Sequence, residues 1–259
     1  MGVLNITPDS FSDGGCFTVV ETAIEQALLM ADLGASIIDV GGESTRPNAT
    51  PVSSEEEIDR VVPVIEGIRL SSTVAISIDT SKPDVMKAAV DAGANLINDV
   101  YALQRPGALE MAATLGVPVC LMHMQANPKT MQDSPNYLNV VDEVSSFFTQ
   151  RIAACEAVGI TRDKIIIDPG FGFGKTLQHN LSLLAKLALF KRHGCPILAG
   201  LSRKSMIGEI LNKRVEERLF GSVSAALLAV INGASIVRVH DVAETADALK
   251  IHNAVQGNY

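Results

Sequence analysis

The chain has 259 residues, enough for one large domain or two small ones, and its formal charge of −8 argues against general affinity for nucleic acid or membrane surfaces. Hydrophobic residues make up 47% but aromatic residues only 4%, with no tryptophan, so the core must be built from Ala, Val, Ile and Leu, as in helix-wrapped parallel sheets. No apolar run approaches the roughly twenty residues that span a bilayer, no basic and apolar leader is visible, and Cys16, Cys120, Cys155 and Cys195 show no zinc spacing; a cytoplasmic protein with reduced thiols is expected.

Short β-branched runs recur along the chain, each followed by a segment with helical periodicity. The predicted strands are Val3 to Ile6, Ile37 to Val40, Ala75 to Ile78, Leu96 to Ile97, Val119 to Met122, Ile165 to Ile167, Ile197 to Ala199 and Ile236 to Val239. The predicted helices are Val19 to Leu33, Glu55 to Leu70, Pro83 to Ala92, Ala108 to Leu115, Val140 to Val158, Leu177 to Lys191, Glu216 to Ile231 and Val242 to Val255. Glycines 34, 93, 116, 159, 194 and 233 follow helical stretches, where a C-terminal turn needs them. Eight βα units with right-handed crossovers form a closed barrel or an unusually large open sheet, and the count favours the barrel. The predicted fold is therefore α/β, a single (β/α)8 TIM barrel spanning 1–259, with its active site at the C-terminal rim of the strands. Two long connections, Asn5 to Thr18 and His123 to Asn139, follow strands and so fall on that rim, where long loops commonly serve as lids.

The side chains that end the predicted strands are strongly polar: Asn5, Asp39, Asp79, Asn98 with Asp99, His123, Asp168, then Ser202, Arg203 and Lys204, and finally Arg238 with His240. Some have ordinary explanations, since Asp241 could cap the last helix with Glu244 as its box partner and Ser81 could cap the helix entered by Pro83. Arg238 and His240, two apart on a strand, project to one face and suit a phosphate or diphosphate; the alternative for them is an ion pair with a neighbouring carboxylate. Asn5 and Asp13 offer oxygens across the same mouth, and oxygen ligands beside a diphosphate imply magnesium. Asp79, Asn98 and Asp168 have no evident basic partner in sequence, so they suit a flat heterocycle rich in N–H donors, such as a 2-aminopyrimidinone edge. Buried aspartates satisfying loop amides are the alternative there.

The stretch from Ile165 to Thr176 combines a buried strand, the acid Asp168, Pro169 to stop the ladder, and three glycines alternating with Phe171 and Phe173. That is the profile of a pocket rim. Gly174-Lys175-Thr176 also suggests a phosphate-cradling Walker loop, but the first glycine of that motif would fall at Pro169. A plain strand-to-helix turn, with Asp168 capping the next helix, is the remaining alternative.

Several longer motifs now resemble one family. Met-Gly-Val-Leu-Asn-Ile-Thr-Pro-Asp-Ser-Phe-Ser-Asp-Gly-Gly from Met1 to Gly15, Asp-Val-Gly-Gly-Glu-Ser-Thr-Arg-Pro from Asp39 to Pro47, Asp-Pro-Gly-Phe-Gly-Phe-Gly-Lys from Asp168 to Lys175, Ser202 to Lys204, and Arg238 to His240 are similar to bacterial dihydropteroate synthases. The resemblance implies a magnesium-assisted transferase of folate biosynthesis that joins 6-hydroxymethyl-7,8-dihydropterin diphosphate to 4-aminobenzoate, releasing diphosphate, with sulfonamides as competing analogues. It implies that Asp79, Asn98, Met122, Asp168, Phe173, Gly200, Lys204 and Arg238 bind the pterin, with Asp79, Asp168 and Lys204 catalytic. Asn5, Thr45, Arg238 and His240 would bind diphosphate, and Asn5 and Asp13 the magnesium. Phe11, Thr45, Arg46, Pro47, Phe173, Ser202 and Lys204 would bind the aminobenzoate. Early loss of diphosphate, leaving a pterin methylene cation for the arylamine, is the implied chemistry, and a homodimer the implied assembly. Members usually carry a further N-terminal segment that forms a hairpin over the barrel bottom; here the domain is expected to lack it. A pterin-binding methyltransferase domain would share the acidic pocket without needing Arg238 and His240, and a noncatalytic binding protein would release no diphosphate.

Overall fold

Strands form where the β-branched runs lie: β1 (Gly2–Asn5), β2 (Ile37–Gly41), β3 (Ala75–Asp79), β4 (Leu96–Asp99), β5 (Val119–Met122), β6 (Ile165–Asp168), β7 (Leu198–Ala199) and β8 (Ile236–Val237). The computed structural model of the chain describes residues 1–6, 16–43, 52–125, 131 and 135–257, with the side chains of 16–18 outside that description. Strands β1 to β6 pair in parallel in chain order, and β7 pairs with β8. Two isolated parallel bridges, Ile167 with Ile197 and Gly2 with Val239, join these arcs into a ring. At the second seam Val3 N donates to Val239 O at 3.0 Å, Val239 N to Met1 O at 2.9 Å, and Met1 N to Val237 O at 3.0 Å. The backbone of the first strand is thus satisfied by the eighth, and the expected (β/α)8 barrel is present.

Around the ring stand α1 (Cys16–Asp32), α2 (Ser54–Ser71), α3 (Pro83–Asp91), α4 (Ala108–Leu115), α5 (Val140–Ala157), α6 (Leu177–Ala185), α7 (Ser205–Leu211), α8 (Leu219–Ile231) and α9 (Val242–Val255). Their starts are set by local chemistry. Ser53 accepts from Glu56 N ahead of α2, with Glu55, Glu56 and Glu57 in the first turn facing the positive end of the helix dipole. Asn139 accepts from Val141 N and Asp142 N ahead of α5. Thr176 and His179 form a reciprocal cap for α6, so the capping role open to Asp168 belongs to Thr176. The caps expected of Ser81 and Asp241 are likewise absent: neither α3 nor α9 has a side-chain cap bond.

Two helical expectations are corrected, and one helix was not expected. The stretch from Leu177 to Lys191 is not one helix, because the chain leaves α-geometry at Lys186 and continues as a 3-10 turn, Leu187–His193. That tighter turn brings Phe190 to 5.9 Å from Phe148 of α5, with the rings edge to face, and His193 Nε2 to 2.8 Å from Ser145 Oγ. The stretch from Glu216 begins in another 3-10 turn, Val215–Glu217, before α8. Helix α7 carries no sequence signal long enough to announce it, being seven residues that follow Arg203 at φ 59°.

The core between sheet and helices is aliphatic, as composition requires: Ile38, Ile65, Ile68, Ile76, Ile78 and Ile97 are fully buried, each contributing about 1.5–3 kcal/mol by leaving water. Cys120, Cys155 and Cys195 are free and buried. Among the described residues no helix is long and apolar enough to cross a membrane.

Register positions the rim. Asn5 pairs with Gly41, Gly41 with Asp79, Asp79 with Asn98 and Asn98 with Cys120. Paired residues of parallel strands share a face, so these side chains form one inward layer near the C-terminal ends.

Two glycines test the steric account. Gly170, at φ +69°, has His123 O only 1.9 Å from where a Cβ would stand, whereas Gly116, at φ +67°, has nothing within 4 Å. Gly116→Ala is expected to lose about 1–2 kcal/mol, the left-handed penalty alone, and Gly170→Ala clearly more. Chemical denaturation of both variants checks this, and equal losses would refute the close approach at Gly170.

Candidate active site

At the mouth a single guanidinium ties three strands together. Arg238, just past β8, donates through Nε to Asp39 Oδ2 at 2.5 Å and through Nη2 to Asp79 Oδ2 at 2.8 Å. Asn98 turns its amide nitrogen to the same partner, 3.2 Å from Asp39 Oδ2 and 3.4 Å from Oδ1, which leaves its Oδ1 to accept from a ligand. Asp39 is fully buried. The basic partner that the sequence did not reveal for the acidic set is therefore Arg238, and the ion-pair alternative for this arginine is realised. Burial opposes its charge, but Asp39 and Asp79 outweigh that cost and raise its pKa above the ordinary arginine value. Burial pushes the Asp79 carboxyl up to about 7, against the pull of Arg238.

The second half of the site is built on β6 and the turn after it. Asp168, 5% exposed, accepts from Gly170 N at 2.8 Å. Burial raises its pKa, with Lys204 and the Gly170 N–H working against the shift. Lys204 reaches over the turn, donating to Phe171 O and lying 4.7 Å above the centre of the Phe173 ring, a cation–π contact. Burial lowers its pKa to about 8, partly offset by Asp168. Gly200 has Lys204 Nζ at 3.8 Å and Arg238 Cβ at 3.9 Å from where a side chain would begin; any larger residue would come between the two cations. Met122, buried, pairs in register with Asp168.

The turn itself is held from beneath by a residue given no role by sequence reasoning. Lys175, 4% exposed, places Nζ 2.9 Å from Gly170 O, 2.9 Å from Phe173 O, 3.3 Å from His123 O and 3.0 Å from His123 Nδ1. Its ammonium points at carbonyls, which leaves the Walker alternative without its phosphate-binding lysine. Burial first, and Lys175 second, depress the pKa of His123 to about 3, so the ring is neutral and Nδ1 accepts.

Beyond β7 and β8, Ser202 Oγ accepts from His240 N at 3.2 Å and lies 3.0 Å from His240 Nδ1. Arg203 bonds to Asp241, which explains why that acid does not cap α9. Ser202 thereby orients His240, a contact beyond its expected place on the aminobenzoate side. Asn5 lies on the inward layer, and a side chain at Gly41 would begin 3.6 Å from Asn5 Oδ1 and 3.8 Å from Asp79 Oδ2. The absence of one leaves the Asn5 amide oxygen clear over Gly41, a hard donor of the kind magnesium takes, while Asp79 Oδ2 is already engaged by Arg238. Among the described residues no three His, Cys, Asp or Glu side chains form a metal-binding group. Phe11, Asp13, Thr45, Arg46 and Pro47 lie outside the described residues.

Comparison with known proteins gives the family. Residues 1–240 match the pterin-binding enzyme family. The dihydropteroate synthase of Escherichia coli K12 is 56% identical over 254 residues, covering 98% of this chain and 90% of that protein. The chain belongs to the dihydropteroate synthase family of pterin-binding enzymes. The Yersinia pestis dihydropteroate synthase, crystallised with a sulfonamide drug, superposes with a TM-score of 0.94 at 51% identity, covering 99% of this chain and 94% of that one. The Xanthomonas albilineans enzyme in complex with 7,8-dihydropteroate superposes at 0.90 with 50% identity, covering 99% and 92%.

Within this dihydropteroate synthase barrel, Asp39 has a role that its place at a strand end did not disclose: it is the buried partner of Arg238. The available signal was an acid inside an apolar strand, Ile37-Ile38-Asp39-Val40, where burial demands a cation.

Two outcomes check these electrostatics. Asp39→Asn leaves Arg238 short of a buried partner and is expected to cost about 3 kcal/mol. Asp241→Asn breaks a pair whose arginine is 40% exposed and is expected to cost no more than about 1 kcal/mol; urea unfolding of both checks the order. His123 titrates at about 3 when folded, against an unfolded value of about 6.5, so the unfolded chain binds the extra proton and stability falls as pH drops below about 6.5. The loss from this residue should reach about 2 kcal/mol by about pH 5. The difference in stability between wild type and His123→Asn, followed across that window, measures it.

Proposed function

We infer that the chain condenses 6-hydroxymethyl-7,8-dihydropterin diphosphate with 4-aminobenzoate, giving 7,8-dihydropteroate and diphosphate, as a transferase of folate biosynthesis. One observation carries it: buried oxygen acceptors on β3, β4 and β6 share a mouth with cations from the chain segments after β7 and β8. Asp168, Asp79 and the Asn98 amide oxygen meet the N–H-rich edge of the pterin. Phe173 and Met122 bound its faces with apolar surface, and Gly200 gives Lys204 and Arg238 room beside it. The dihydropteroate bound to the Xanthomonas albilineans relative supports this placement, as does the sulfonamide complex of the Yersinia pestis enzyme for the aminobenzoate side, assigned to Phe11, Thr45, Arg46, Pro47, Phe173, Ser202 and Lys204.

Loss of diphosphate creates positive charge on the pterin methylene and negative charge on the leaving group. Fixed acids around the ring, and the Arg238 guanidinium with the His240 imidazole on the leaving-group side, are in place before reaction begins and stabilise both without reorganisation. Ser202 keeps His240 in place, and Thr45 joins the diphosphate set. The arylamine attacks as the free base, so no strong general base is required. Asn5 and Asp13 would hold magnesium, which when bound neutralises diphosphate charge and favours its departure. The free buried cysteines suit a cytoplasmic enzyme. Exposed Ile210, Leu211, Phe220, Leu228 and Ile231 on α7 and α8 supply an apolar face for pairing two copies as a homodimer.

Diphosphate release from pterin diphosphate whose turnover depends on 4-aminobenzoate tests the activity; a release rate unchanged by the arylamine, or no release at all, would refute it and favour a methyltransferase domain or a binding protein. Asp168→Asn should weaken binding of a pterin by about 10- to 100-fold, because a charged hydrogen bond worth about 1.5–3 kcal/mol is lost. Calorimetry showing unchanged affinity would remove Asp168 from the pterin site.

A further inference from the structure

Lys175 is a buried lysine that the chemistry above does not use; burial lowers its pKa to about 7, with Asp168 opposing the shift. It makes no ion pair among the described residues, and each of its hydrogen-bond partners is neutral. An ammonium has three N–H donors, and here they are shared among acceptors from two separate segments: the exit of β5, through His123 O and Nδ1, and the turn after β6, through Gly170 O and Phe173 O. Keeping a cation in such a place is costly unless its donors are well used. A methionine would fill the same space at less electrostatic cost, yet would leave those carbonyls unsatisfied.

The upper surface of the same turn carries Lys204. Phe171 O accepts from its ammonium, the Phe173 ring lies under it, and Gly172, at φ +79°, has Lys204 Cδ 3.2 Å from where a side chain would begin. The turn is a thin layer with one lysine on each side. The lower one fixes the carbonyls of Gly170 and Phe173, and the shape so fixed presents the Phe171 carbonyl and Phe173 ring to the upper one. Other contacts add to the clamp: Tyr137 OH donates to Gly174 O at 2.9 Å, and Gly172 N donates to Asn180 Oδ1 at 2.8 Å.

We infer that Lys175 is a positioning residue that orients Lys204 for the pterin through the turn between them. This rests on the placement of Lys204 in the pterin site, so the test treats the two residues together. Binding of 6-hydroxymethylpterin is measured by calorimetry for wild type, Lys175→Met, Lys204→Met and the double variant, each checked for a cooperative unfolding transition. Each single change is expected to weaken binding about tenfold, with the double variant within about twofold of Lys204→Met alone, because Lys175 acts only through Lys204. Wild-type affinity in Lys175→Met, or a double variant that loses the product of the two single effects, would overturn the inference, since a simple staple of the fold gives additive losses. Wild-type affinity in Lys204→Met would instead overturn the placement of Lys204 itself. If Lys175→Met does not fold, Lys175→Gln, which keeps amide donors for the carbonyls, takes its place in the cycle. There the expected result is a loss of less than about tenfold when Lys204 is present and no further loss in the Lys204→Met background, and an equal loss in both backgrounds would overturn the inference.

Discussion

Arg238 brings a guanidinium below the rim of the barrel, where leaving water costs several kcal/mol, and carboxylates from β2 and β3 make that placement possible. Asp39 is the deeper of the two, fully buried and engaged both by Arg238 and by Asn98. Removing either charge would strand the other, so the pair constrains which residues can stand around it. It also sets the electrical character of the mouth, where a fixed cation sits among acids that would otherwise repel one another. Asp79 then holds a carboxyl that takes up a proton near neutrality, at the edge where a heterocycle would exchange N–H bonds with it.

Parallel register does the rest of the alignment. A shift of one residue in any strand would turn its polar end toward the helices, and the apolar residues on either side of each acid prevent that slip. Ile38 and Val40 flank Asp39, and all of them are fully buried. The same alternation that forms the core therefore aims the functional groups inward, which is how a rigid scaffold comes to support chemistry at its strand ends.

The sequence made the strands legible because eight β-branched runs punctuated by glycine have few other solutions, and it made the rim legible because polar residues ending apolar strands are conspicuous. Partnerships were less visible. Arg238 lies 199 residues from Asp39, and no local spacing encodes such a contact. Lys175 sits in a motif whose glycines and phenylalanines are conspicuous, while the carbonyls around its own side chain come together only on folding. The cap open to Asp241 follows a local rule that a tertiary contact overrides, Arg203 taking that acid, and the cap open to Ser81 does not form. Helix α7 was missed for want of length, since seven residues offer fewer than two full periods for a pattern to declare itself.

The seam between β8 and β1 has a kinetic consequence. Met1 and Val237, hydrogen-bonded across it, are 236 residues apart in the chain, so the ring closes through a contact of very long sequence separation, the kind that forms slowly. The six-stranded arc is made of neighbours in sequence and can assemble without that contact. Such an arc would already hold Asp39, Asp79, Asn98 and Asp168, but its central cation arrives only with β8. Ring closure and completion of the site are thus one event, and a nascent or partly unfolded barrel carries a cluster of carboxyls without the guanidinium that later organises them.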